Sequence, residues 1–80
     1  MRVPRDLSGA DLVKRLGRFG YSVTRQTGNH MRLTSTTHGE HHITIPNHDP
    51  LRLGTLAAIL AGVAVHHGLT RDKLIQRLFE

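Results

Sequence analysis

The sequence predicts an α+β domain of order αβββαα: a three-stranded antiparallel sheet with its helices packed on one face. The spacing of apolar residues changes from helical to alternating at Gly20 and returns to helical beyond Pro50. Each change is marked by residues that stop helices or make turns. Length is the third observation. Eighty residues can build one modest core, so residues 1–80 are expected to form a single domain, core about 8–67 and closing helix about 70–79.

Ser8 opens the first helix as its cap, with Asp11 three residues on where a capping-box acid belongs. Leu12, Leu16 and Phe19 recur at i, i+4 and i+7, Val13 widens the stripe, and Gly20 is the left-handed stop. The period then becomes two. Strands are expected near 21–25, 30–34 and 41–46, joined by a loop over Gln26–Asn29 and another from Ser35 to Glu40. Pro46 ends the third strand, and Asn47-His48-Asp49-Pro50 is turn chemistry. Thr55 reads as the cap of a helix carrying Leu56, Ile59, Leu60 and Val63 and ending at Gly68. Thr70 caps a last helix with Leu74, Ile75, Leu78 and Phe79.

Strict alternation turns Val23, Met31, Leu33, Ile43 and Ile45 to the helices and Ser22, Thr24, His30, Arg32, Thr34, His42 and Thr44 to the other face. That open face is expected to be polar and free of acids. An imidazole beside a guanidinium suits phosphodiester chemistry, because one moves a proton near neutral pH and the other binds phosphate and its developing charge. A solvated strand face of ordinary polarity would carry the same residues.

Composition removes other classes. There is no cysteine, which excludes disulfides, thiol catalysis and cysteine-based zinc sites. No run approaches the length of a bilayer span and the first residues lack a signal-peptide core, so a cytoplasmic protein without membrane contact is expected. The net charge is +5, and all of it sits in residues 1–34, which hold seven bases against two acids. A one-sided basic field attracts polyanions, either nucleic acid or an acidic protein.

His38, His41 and His42 with Glu40 suggest a metal cluster, but the spacing fits no helical zinc motif. Neighbouring strand residues also point to opposite faces, so neither metal nor cofactor is expected. His66 and His67 close a helix, where the dipole favours them on structural grounds. With only Phe19, Tyr21 and Phe79 as aromatics, all at core positions, a base-stacking platform is not expected.

The run Gly20-Tyr21-Ser22-Val23-Thr24-Arg25-Gln26-Thr27-Gly28-Asn29-His30 resembles the G-(Y/F)-x-x-x-R-Q-x-G-S-H segment of HicA-type toxins. Ile43-Thr44-Ile45-Pro46 is similar to that family's third strand, and Gly54-Thr55-Leu56-Ala57-Ala58-Ile59-Leu60 to its G-T-L-x-x-I-L helix start. The resemblance implies a double-stranded-RNA-binding-domain-like fold and an mRNA interferase from a bacterial toxin–antitoxin pair. The family's catalytic histidine carries over onto His30 and its loop glycine onto Gly28. Asn29 stands where serine is usual, and Met31 where many members have a second histidine.

The expected activity is therefore a metal-independent endoribonuclease. His30 would act as general base on a ribose 2′-hydroxyl and Arg32 would bind the phosphate, with His42 a secondary candidate for protonating the leaving oxygen. Gly28, Asn29, Arg25, Lys14, Arg15 and Arg18 would extend the contact with RNA phosphates. The expected partners are mRNA and a HicB-like antitoxin, with a toxin that is monomeric by itself and oligomeric only through the antitoxin. A non-catalytic RNA-binding module and a domain that docks an acidic protein are the alternatives.

Overall fold

The computed structural model describes residues 4–80, so Arg2, one of the bases counted above, lies outside the described residues. The elements are α1 (Gly9–Arg18), β1 (Ser22–Thr27), β2 (His30–Ser35), β3 (His41–Pro46), α2 (Leu53–His67) and α3 (Arg71–Phe79). This is the α+β order expected, with an antiparallel sheet of strand order β1-β2-β3.

Local chemistry sets the ends of α1. The Ser8 hydroxyl accepts from the Asp11 N–H at 3.0 Å, and the Asp11 carboxylate accepts from the Ser8 N–H at 3.4 Å. These bonds hold the Asp11 carboxyl below its usual value. A Cβ at Gly9 would overlap the Pro46 carbonyl oxygen, so the helix start can approach the end of β3 only as glycine. The Gly9 N–H donates to the His48 carbonyl at 2.9 Å, and the Asn47 N–H donates to the Asn29 carbonyl at 2.6 Å. Together they tie the β1–β2 turn, the end of β3 and the start of α1 into one corner.

That turn is tighter than the sequence suggests. β1 runs on through Thr27, leaving only Gly28 and Asn29 between the strands. Gly28 has φ 55 and Asn29 a negative φ, the sign pattern of a type II′ turn, whose twist matches the paired strands.

The core lies between the sheet and the three helices. Leu12 and Leu16 of α1, Met31, Leu33 and Ile45 of the sheet, Leu56, Leu60 and Val63 of α2, and Leu74, Ile75 and Leu78 of α3 are all buried together. Ile43 is half-buried at the margin. Val23 departs from expectation: it is 44 % exposed, because it stands on the edge strand, where every β1 residue is exposed.

α2 also starts earlier than Thr55. Leu51 is buried, and its N–H donates to the Leu7 carbonyl at 2.8 Å, so the chain is already docked when the helix begins. Arg52 occupies the cap position without a side-chain hydrogen bond, and Thr55 falls in the first turn. Tertiary anchoring outweighs capping preference at this end. Gly68 at φ 65 and the Thr70 hydroxyl, which accepts from the Lys73 N–H at 3.2 Å, act as expected at the α2–α3 junction. Among the described residues no single helix is long and apolar enough to cross a membrane.

Candidate active site

β2 is the central strand, and its residues alternate between the core and the open face. Met31 and Leu33 are buried, while His30 and Arg32 are exposed and Thr34 is half-buried. The period-two row His30, Arg32, Thr34 therefore has steps of about 7 Å. His30 stands at its lower end, directly after the Gly28–Asn29 turn, flanked by Thr27 on β1 and Pro46 on β3. Its position is fixed by the corner described above, and its imidazole faces solvent.

Alternation alone sends Arg25 to the helix side. The structure instead has a bulge in β1 between Val23 and Arg25, which sets Arg25 directly opposite Arg32. Thr24 faces the same way: its Oγ1 lies 2.9 Å from Oγ1 of Thr34. Among the described residues the only ion pair joins His42 and Glu40, so neither guanidinium has a carboxylate partner. Like charges directly opposite on a sheet repel, and a bound anion would relieve that cost. The Arg25–Arg32 rung thus places two unpaired cations side by side, one step along the sheet from His30. In the sequence only Tyr21 and Val23 mark the alternation of the first strand, and neither gives a sign of the bulge that follows them.

Farther along, the open face is not free of acids. Nε2 of His42 lies 2.5 Å from Oε2 of Glu40, and Nδ1 lies 2.8 Å from Oγ1 of Thr34. Glu40 stands just before β3 with the parity of His42, so alternation carried past the start of the expected strand puts the carboxylate on this same face. The auxiliary-acid role expected for His42 does not fit this placement. His42 pairs with Thr34, four residues along β2 from His30, which is about 14 Å. The Thr34 hydroxyl anchors the ring at that rung, well away from His30.

The basic residues of α1 fall elsewhere. α1 packs on the covered side of the sheet through Leu12 and Leu16, leaving Lys14 and Arg18 exposed across the layers from His30. With Asp11 and Arg15 they line a shallow concavity closed by Pro4 and Leu7. Arg15 is half-buried, donates from Nη1 to the Leu78 carbonyl at 3.4 Å and lies 5.6 Å over the Phe79 ring, which fastens α1 to α3. Gly28 and Asn29 adjoin His30 as the turn that presents it.

At the far end of the sheet His38, His41, His66 and His67 form a separate cluster. The buried Tyr21 hydroxyl lies 2.7 Å from Nδ1 of His41 and 2.9 Å from Nε2 of His67, donating to one ring and accepting from the other. His66 stacks on His41 at 4.3 Å and donates from Nε2 to the carbonyls of Thr37 and Gly39. His41 and His42 do face opposite sides of the sheet, and among the described residues no three metal-ligating side chains are grouped to hold an ion. Burial pushes the Tyr21 hydroxyl up to about 12, so it stays neutral. Burial, aided by the neighbouring imidazoles, pushes His41 and His67 down from their ordinary value.

The unfolded chain therefore binds protons at His41 and His67 that the folded chain resists. Their contribution to stability is present above pH ~6.5 and is lost as pH falls through the lowered folded-state values. Thermal melting is expected to move to lower temperature between pH 7.5 and pH 5, and His67→Phe should flatten that dependence. An unchanged pH dependence in His67→Phe would remove the cluster as its cause.

The family model described as the HicA toxin of bacterial toxin–antitoxin systems matches residues 9–63. No curated protein and no solved structure matches the chain. The matched span runs from the first residue of α1 into α2 and contains the whole sheet, the Gly28–Asn29 turn and the open face with His30. On that match, which spans more than half of the chain, the chain belongs to the HicA toxin family, the toxin half of a bacterial toxin–antitoxin system with an antitoxin as its implied partner.

Proposed function

We propose that this toxin is a metal-independent mRNA endoribonuclease with His30 as its general base. The observation that carries the reading is an exposed imidazole on the open sheet face, one step of about 7 Å from the unpaired Arg25–Arg32 rung. His30 takes the proton of a ribose 2′-hydroxyl, and the freed oxygen attacks the adjacent phosphorus as the bond to the 5′-oxygen breaks. The products are a 2′,3′-cyclic phosphate and a 5′-hydroxyl that takes its proton from water. Arg25 and Arg32 bind the non-bridging oxygens and offset the extra negative charge of the transition state. A HicB-like antitoxin would silence the toxin by covering His30 and setting acidic groups against the arginine rung.

The test uses purified toxin and a single-stranded RNA. Cleavage should persist in excess EDTA and should stop when the nucleotide at the cut site carries a 2′-deoxyribose. Cutting of the deoxy-substituted strand would overturn the 2′-hydroxyl scheme. Salt-dependent binding without any chain cleavage would favour the non-catalytic RNA-binding module instead.

A further inference from the structure

The His42–Glu40 pair lies outside the reaction at His30, yet it is built. His42 is held from below by Thr34 of β2, whose hydroxyl also meets Thr24 of β1, so the ring is anchored to the central strand. Its Nε2 meets a carboxylate whose side chain is 68 % exposed, against 37 % for His42. An exposed pair of this kind contributes little stability, and a competing anion displaces the carboxylate at low cost. The imidazole would keep its place when Glu40 left, because Thr34 fixes it independently.

The rung carrying His42 and Thr34 lies one pleat beyond the rung of Arg32 and Thr44, a step of about 7 Å. That step is close to the separation of successive phosphates in an extended single strand. We propose that His42 and Thr34 form an additional phosphate-binding position for RNA, one nucleotide beyond the phosphate at Arg25 and Arg32, and that Glu40 occupies it until RNA displaces the carboxylate. The proposal rests on the RNA-cleaving reading above. It makes Glu40 a built-in competitor with the substrate, and the period of β2 the ruler that spaces three contacts on the strand: His30, the arginine rung and His42.

The experiment measures binding of a short single-stranded RNA by fluorescence anisotropy, using His30→Ala protein so that the RNA stays intact. Adding Glu40→Ala should tighten binding by roughly three- to tenfold and steepen the plot of log affinity against log salt by about 0.7, the increment for one more phosphate contact on a single strand. With His42→Ala also present, the gain from Glu40→Ala should fall below about twofold. Melting curves check that each variant is folded. An equal gain with and without His42 would mean that Glu40 acts only through overall charge, and no gain would mean that there is no such position; either result overturns the proposal and leaves the His30 reading standing. Failure of the His30→Ala protein to bind RNA at all would remove both.

Discussion

Replacing His30 with alanine is expected to lower RNA cleavage by about 10²–10⁴-fold, the contribution typical of a positioned general acid–base residue. The fold should not notice. His30 is exposed, it sits at the end of its strand, and the corner that places it is made of backbone bonds from Gly9 and Asn47. A surface change of this kind alters stability by about 0.5 kcal/mol or less. On ectopic expression the wild-type chain should arrest growth and degrade transcripts, while His30→Ala should accumulate harmlessly with an unchanged melting temperature. Equal toxicity from the two would take His30 out of the chemistry. The same variant should still bind RNA through Arg25 and Arg32, so loss of cleavage with retained binding is the signature that separates a base from a mere contact.

Leu33→Ala is expected to disable the toxin by the opposite route. Leu33 is fully buried on the central strand, with Arg32 and Thr34 on either side of it pointing to the open face. Truncation leaves a cavity that a strand held between two neighbours cannot close, at a cost of about 2–5 kcal/mol. A domain of this length has a total stability on the order of 4–12 kcal/mol, so the loss is a large share of the whole. Denaturant titration should show a clear fall in the midpoint, and cleavage and folded signal should disappear together as temperature rises. Cleavage lost at a temperature where the variant remains fully folded would show that Leu33 acts on the site and not on the scaffold.

The two variants mark what could be read from residues in order. The αβββαα succession was legible because Leu12 and Leu16, then Met31 and Leu33, then Leu56, Leu60 and Val63 change period where Gly20 and Pro50 break the chain. The same alternation put His30 and Arg32 on one face, where both are exposed. Long runs with a buried stripe define themselves, since burial repeats along the sequence with the period of the element. β1 has no such stripe. With every residue exposed, its register was set by pairing with β2 and by a bulge, and that is why Arg25 arrives opposite Arg32 without any warning in the letters. The start of α2 differs from its sequence signal for a related reason. Thr55 is a good cap by type, but Leu51 docks first and the helix follows it.

The amino-acid order by itself determined the elements, the side of the sheet that stays uncovered, and the charge that makes this half of a toxin–antitoxin pair attractive to a polyanion, because all three are properties of local pattern and composition. Tertiary structure alone decided the company each functional group keeps. Thr34 on His42, Arg25 beside Arg32, Lys14 and Arg18 turned away from His30, and Tyr21 shared between His41 and His67 all depend on strand pairing and helix docking. Hydrogen bonds and charge contacts act over a few ångströms in space, and separation along the chain carries no such information until the core has closed.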